Sequence, residues 1–163
     1  MNLRDVIPTA ENSTNFDVVP ESITEVGTTL ENLKAAVCGE TGASAKYAAC
    51  AVAAKEQGYD QIARLFEATS AAEQIHIGLE AGVICEIEPG YERPAAPEAE
   101  GIATDLNLIA GALGEIYETS DMYPSFIKVA QEEGNRKAEF VFTRAKLAEA
   151  VHAELYMDAY NNI

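Results

Sequence analysis

The chain contains two histidines, and each follows a glutamate by three residues: Glu73-Gln74-Ile75-His76 and Glu149-Ala150-Val151-His152. The second motif lies 76 residues after the first, and each has a lone glutamate well upstream, Glu40 and Glu115. Glu and His three residues apart share one face of a helix, so both can reach one ion. A single Glu-x-x-His means little, because helix surfaces hold many. Two in register, each paired with a further glutamate, are the ligand arithmetic of a di-metal carboxylate four-helix bundle.

Helix signals place these residues on four helices. Thr28 followed by Glu31 is a capping box that opens a helix over about 29–57. Leu30, Leu33, Val37, Glu40, Ser44, Tyr47 and Ala51 form its stripe, and Gly58 ends it. The second helix, about 59–85, carries Ile62, Phe66, Thr69, Glu73, His76 and Glu80 in alternating steps of four and three. Glu73 and His76 therefore share the buried face with Ile62 and Phe66. A bare carboxylate there costs several kcal/mol unless it is paired, protonated or bound to a metal. Three prolines and two glycines within 86–103 predict a long crossover rather than a tight turn. A third helix is expected over about 104–133, capped by Thr104 or Asp105 and carrying Leu108, Ala112, Glu115, Glu118 and Tyr123. Pro124 falls in its middle as an expected kink. The fourth helix, about 135–160, repeats the second: Ala138, Phe142, Ala145, Glu149, His152, Tyr156 and Ala159. An all-α, ferritin-like four-helix bundle over 29–163, built by internal duplication and preceded by an irregular arm over 1–28, is the expected fold.

The duplication has one slip. Glu40 to Gly58 spans 18 residues, but Glu115 to Gly134 spans 19. One extra residue in a matched helix is what a π-turn inserts, and the slip places it between Glu115 and Pro124. Glu118 also breaks the symmetry, since its counterpart in the first half is Ala43.

A net charge of −16 argues against nucleic acid and anionic membranes as partners. There is no signal-peptide pattern at the N-terminus and no apolar run long enough to span a membrane, so a cytoplasmic protein is expected. Cys38, Cys50 and Cys85 are an odd number with no C-x-x-C, and each lies in an apolar helical stretch. They are read as buried free thiols in a reducing compartment.

Gly39-Glu40 with Tyr47, Gly58-Tyr59-Asp60-Gln61-Ile62-Ala63, Glu73-x-x-His76, Gly114-Glu115-Ile116-Tyr117-Glu118-Thr119-Ser120-Asp121-Met122-Tyr123-Pro124 and Glu149-x-x-His152 resemble the rubrerythrin family. The resemblance spans about 29–160 and is most specific over 115–124. It implies a di-iron centre held by Glu40, Glu73, His76, Glu115, Glu118, Glu149 and His152. It further implies that Glu118 and His76 alternate on one iron as the redox state changes, and that Tyr47 and Tyr123 hydrogen-bond ligand carboxylates. The implied activity is a peroxidase that reduces hydrogen peroxide to water. Typical members draw electrons from their own four-cysteine rubredoxin domain. This sequence ends at Ile163 without such cysteines, so it resembles the single-domain members, and an external donor such as a separate rubredoxin is expected.

Two other functions use the same residues: a ferroxidase or iron-handling protein acting with oxygen, and a non-enzymatic metal-binding protein loaded with Zn²⁺ or Mn²⁺. Glu118 favours the peroxidase, because a redox-linked ligand exchange needs a spare ligand. A homodimer is expected, and the long crossover makes exchange of helix pairs between subunits conceivable.

Overall fold

The structure, a computed structural model, describes residues 21–163. The expected arm over 1–28 lies outside the described residues as far as residue 20. Helix α1 (Thr29–Glu56) pairs with α2 (Asp60–Ile87). After the crossover come α3 (Thr104–Tyr117), a π-helical turn (Glu118–Met122), α4 (Tyr123–Glu132) and α5 (Arg136–Asn161). Helix α3, the π-turn and α4 follow one another without a break, so the architecture is four helices in two pairs, with no strand among the described residues. Helix ends fall within one or two residues of the sequence expectations.

The caps explain why the chain turns where it does. The Thr28 hydroxyl accepts from Glu31 N–H while the Glu31 carboxylate accepts from Thr28 N–H, the reciprocal pair expected from the sequence. Gly58 and Gly134 follow the two equivalent helix ends with φ of 87° and 71°, a left-handed conformation that glycine adopts without a Cβ clash. The start of α3 differs from expectation. Its cap is Ala103, which offers no side-chain acceptor. Gln57 of the α1 end supplies one instead: its Oε1 accepts from Thr104 N–H at 2.9 Å and Thr104 Oγ1–H at 2.8 Å. A tertiary contact thus replaces the local cap.

The π-turn falls where the one-residue slip in the duplication puts it. Pro124 lies directly after it, in the first turn of α4. Residues 22–24 lie across this turn. Asp121 accepts from Ile23 N–H at 2.9 Å and from Thr24 Oγ1–H at 2.8 Å, and its other short contact is with Ser22 Oγ.

Two apolar clusters fill the bundle. One gathers Tyr47, Phe66, Leu108, Ile116, Tyr156 and Met157. The other gathers Leu33, Val37, Ile84, Tyr123, Phe126 and Phe142. Along α1, α2 and α5, Glu40, Glu73, His76, Glu149 and His152 fall between the two. The expectation of three buried thiols fails for two of them: Cys50 is buried, but Cys38 and Cys85 are exposed. Each of the exposed pair follows a buried stripe residue, Val37 or Ile84, by one position. One position turns a side chain about 100° around a helix, out of the core.

The crossover lies against α1. At Gly101 an added Cβ would sit 2.6 Å from both the Ala49 carbonyl oxygen and the Ala53 Cβ. Replacing Gly101 with valine should therefore lower stability by about 1–3 kcal/mol. An unchanged denaturant midpoint in Gly101→Val would show that the crossover is not packed this closely.

Candidate metal centre

Each helix brings its polar residues to the same level of the bundle. Glu40 comes from α1, Glu73 and His76 from α2, Glu115 from α3, and Glu149 and His152 from α5. The four glutamates that join the histidines have no solvent exposure, and each histidine retains 7%. The ligand atoms fall into two groups, each within 4.8 Å: Glu40, Glu73, His76 and Glu149, and Glu73, Glu115, Glu149 and His152. Glu73 and Glu149 belong to both. A pair of ions sharing two carboxylates, each with one further glutamate and one imidazole, fits this arrangement.

Both imidazoles turn Nδ1 into the carboxylates. His76 Nδ1 lies 2.9 Å from Glu149 and 3.0 Å from Glu73, with Glu40 at 3.7 Å. His152 Nδ1 lies 2.9 Å from Glu149, 3.3 Å from Glu73 and 3.7 Å from Glu115. Burial opposes charge on both rings, but the carboxylates outweigh it. Glu149, Glu40 and Glu73 raise His76 well above the usual imidazole range, and Glu115, Glu149 and Glu73 bring His152 up to about 12. Burial, with a hydrogen bond to Glu73, pushes Glu40 up to about 8. Burial works against Glu73 too, yet hydrogen bonds with Glu40, His152 and His76 hold it below the usual carboxylate range. Burial and the charges of Glu115 and Glu40 raise Glu149.

The donor set suits cations by another measure. Glu40 Oε2, Glu73 Oε1, Glu115 Oε2, both Glu149 oxygens and His152 Nδ1 are buried without a well-formed hydrogen bond. Hard oxygens with one imidazole per group match a divalent first-row ion. Two such ions, one per group, would satisfy these atoms and would replace the imidazole protons.

Two tyrosines hold the outer glutamates, crosswise between the halves. Tyr47 donates to Glu115 Oε1 at 2.6 Å. Tyr123 forms a short hydrogen bond to Glu40 Oε1. Glu118 opens the π-turn and lies outside both groups. Its Oε1 is 4.0 Å from the point where a Cβ on Gly39 would sit, beside Glu40. Burial, then the charges of Glu40, Glu149, Glu115 and Glu73, raise its carboxyl well above the ordinary value. The structure therefore brings six of the seven sequence-selected residues together and leaves Glu118 adjacent.

Two residues were not singled out from the sequence. Glu80, with no exposure, has its Oε1 2.7 Å from Tyr123 Oη. It did stand on the α2 stripe, four residues after His76, and that position was its signal. Asp121 had none, because its partners are about a hundred residues away in sequence.

A family model described as rubrerythrin matches residues 31–160. Nigerythrin of Nitratidesulfovibrio vulgaris is 66% identical over 163 residues, covering 100% of this chain and 81% of that protein. Rubrerythrin of the same organism is 36% identical over 137 residues, covering 83% of this chain and 70% of that protein. A solved structure described as the fully reduced, all-ferrous state of nigerythrin matches with a TM-score of 0.88 and 67% identity, covering 96% of this chain and 77% of that one.

Because the surrounding carboxylates favour the protonated imidazoles, and a bound ion needs them neutral, metal uptake should release protons, and affinity should fall as pH falls. Calorimetric titration with Zn²⁺ in two buffers of different ionisation enthalpy checks this. Binding heats that do not depend on the buffer would contradict it.

Proposed function

The chain belongs to the rubrerythrin family, and from that premise we propose that it is a di-iron peroxidase that reduces hydrogen peroxide to water with electrons from a donor such as a rubredoxin. Glu40, Glu73, His76 and Glu149 would hold one iron, and Glu73, Glu115, Glu149 and His152 the other. A pair of ferrous ions there supplies the two electrons that peroxide reduction consumes. Nigerythrin, solved in an all-ferrous state, supports iron as the metal.

The protein's own residues prepare the site for that chemistry. Glu73 and Glu149 belong to both donor groups and would hold the two ions next to each other. Tyr47 orients Glu115 and Tyr123 orients Glu40, each by occupying one oxygen. The apolar clusters on either side exclude bulk water and strengthen every charge interaction between them.

Glu118 carries the choice of peroxidase over plain metal storage. It stands beside Glu40, has no twin in the duplication, and is set on a π-turn in a helix that is otherwise regular. Burial and neighbouring charge favour its neutral form, so it can wait outside the ligand set without leaving a bare charge in the core. This fits a spare ligand that would exchange with His76 when iron is bound and its redox state changes.

Mixing the Fe²⁺-loaded protein with peroxide or with oxygen, and following the diferric absorbance, tests the reading. Oxidation by peroxide should be much faster. A rate with peroxide no greater than with oxygen would contradict a peroxidase. Glu118→Ala should still bind two ions but slow the peroxide reaction by about tenfold to a hundredfold. An unchanged rate would show that Glu118 does not enter the ligand set.

A further inference from the structure

Tyr123 Oη faces two carboxyl groups. It lies within hydrogen-bonding distance of Glu40 Oε1 and of Glu80 Oε1, the latter at 2.7 Å. A phenol has one hydrogen to give. It can donate to one carboxyl only, and the second contact closes only if the other carboxyl brings its own proton. Both glutamates are fully buried, so no bulk water intervenes.

We propose that Glu80 is a positioning residue for the metal centre: a neutral carboxylic acid that donates to the Tyr123 hydroxyl, which in turn donates to Glu40. The inference rests on the reading above that Glu40 holds an ion.

Three observations assign the proton to Glu80. Glu40 belongs to a metal-sized donor group with Glu73, His76 and Glu149, whereas Glu80 belongs to neither such group among the described residues. Glu80 Oε2 is buried without a hydrogen-bond partner, and an anion there would be left bare. Glu80 also shares its stretch of α2 with Ile77, Ala81 and Ile84, all of the second apolar cluster. Burial, followed by the nearby charge of Glu40, raises its carboxyl well above the ordinary range, although Tyr123 and His76 pull the other way and Glu73 adds to the rise.

The duplication sharpens the point. The position 76 residues after Glu80 is Tyr156, whose hydroxyl pairs with Thr69 instead. Tyr47, the counterpart of Tyr123, donates to Glu115. So one half of the bundle has tyrosine to glutamate, and the other has glutamic acid to tyrosine to glutamate. Both carboxyls that break the two-fold pattern, Glu80 and Glu118, border Glu40. With Glu80 as donor, the Tyr123 proton is committed to Glu40 Oε1. Glu40 Oε2, which has no hydrogen-bond partner, is then the oxygen presented to an ion. Without that donor, one hydroxyl proton is divided between two acceptors and the orientation of Glu40 loosens.

Infrared difference spectra and Zn²⁺ titrations of the full chain test this. Subtracting Glu80→Gln from the unmodified protein should reveal the carbonyl stretch of one protonated carboxyl at neutral pH, with and without Zn²⁺. Glu80→Leu should weaken binding of one of the two ions by about tenfold, whereas Glu80→Gln, whose amide still donates to Tyr123, should stay within about twofold. Tyr123→Phe removes the middle link, so adding Glu80→Leu to it should cause no further loss. The inference is overturned by absence of the carboxyl band, by equal effects of Gln and Leu, or by additive effects of the Tyr123 and Glu80 changes. If Glu80→Leu fails to fold, the band and the Gln variant decide. If the unmodified protein takes up no pair of Zn²⁺ ions, the two-ion reading of the site fails instead, and the infrared band still decides the state of Glu80.

Discussion

Buried carboxylates are the constraint on which this bundle depends. Glu40, Glu73, Glu80, Glu115 and Glu149 all have no solvent exposure, and four of them crowd around two imidazoles. Moving even one carboxylate out of water costs several kcal/mol unless something positive meets it. The histidines, whose protonated form these carboxylates favour, meet part of that demand, and two divalent ions would meet more of it. The apolar clusters above and below do not solvate these charges. They close the space in which only a cation or a proton can.

Duplication explains how so many charges came to one level. A helix pair carrying Glu and Glu-x-x-His presents three ligands on one face, and the same pair repeated presents the matching three from the opposite side. Tyr47 and Tyr123 tie the halves together by reaching across to Glu115 and Glu40. The departures from symmetry are few and lie on one side. The π-turn that carries Glu118 places it beside Glu40, and Glu80 stands behind Tyr123, also facing Glu40. One half of the site is therefore equipped differently from the other. Residues 22–24, held by Asp121, lie over the turn that makes the difference.

Much of this was legible in the sequence because it is written in helical period. The stripes of α2 and α5 place Glu73, His76, Glu149 and His152 inward, and the 18-against-19 spacing places the π-turn. What was not legible depends on contacts that period does not encode. Cys38 and Cys85 lie in apolar stretches yet point outward, one step off the buried stripe. The start of α3 is capped by Gln57, 47 residues away, rather than by its own neighbours. Glu80 fell on the correct face, but its importance appears only once Tyr123, on another helix, is seen to meet it. Asp121 meets residues on the far side of the chain and carries no periodic mark at all.

The central claim is that Glu73 and Glu149 are shared by two ions, each completed by its own glutamate and histidine. Anomalous scattering from crystals grown with Fe²⁺ under anaerobic conditions tests it most directly. Two iron peaks are predicted, one against Glu40 and His76 and the other against Glu115 and His152, with Glu73 and Glu149 between them. A single peak, or iron bound away from these six residues, would contradict the account.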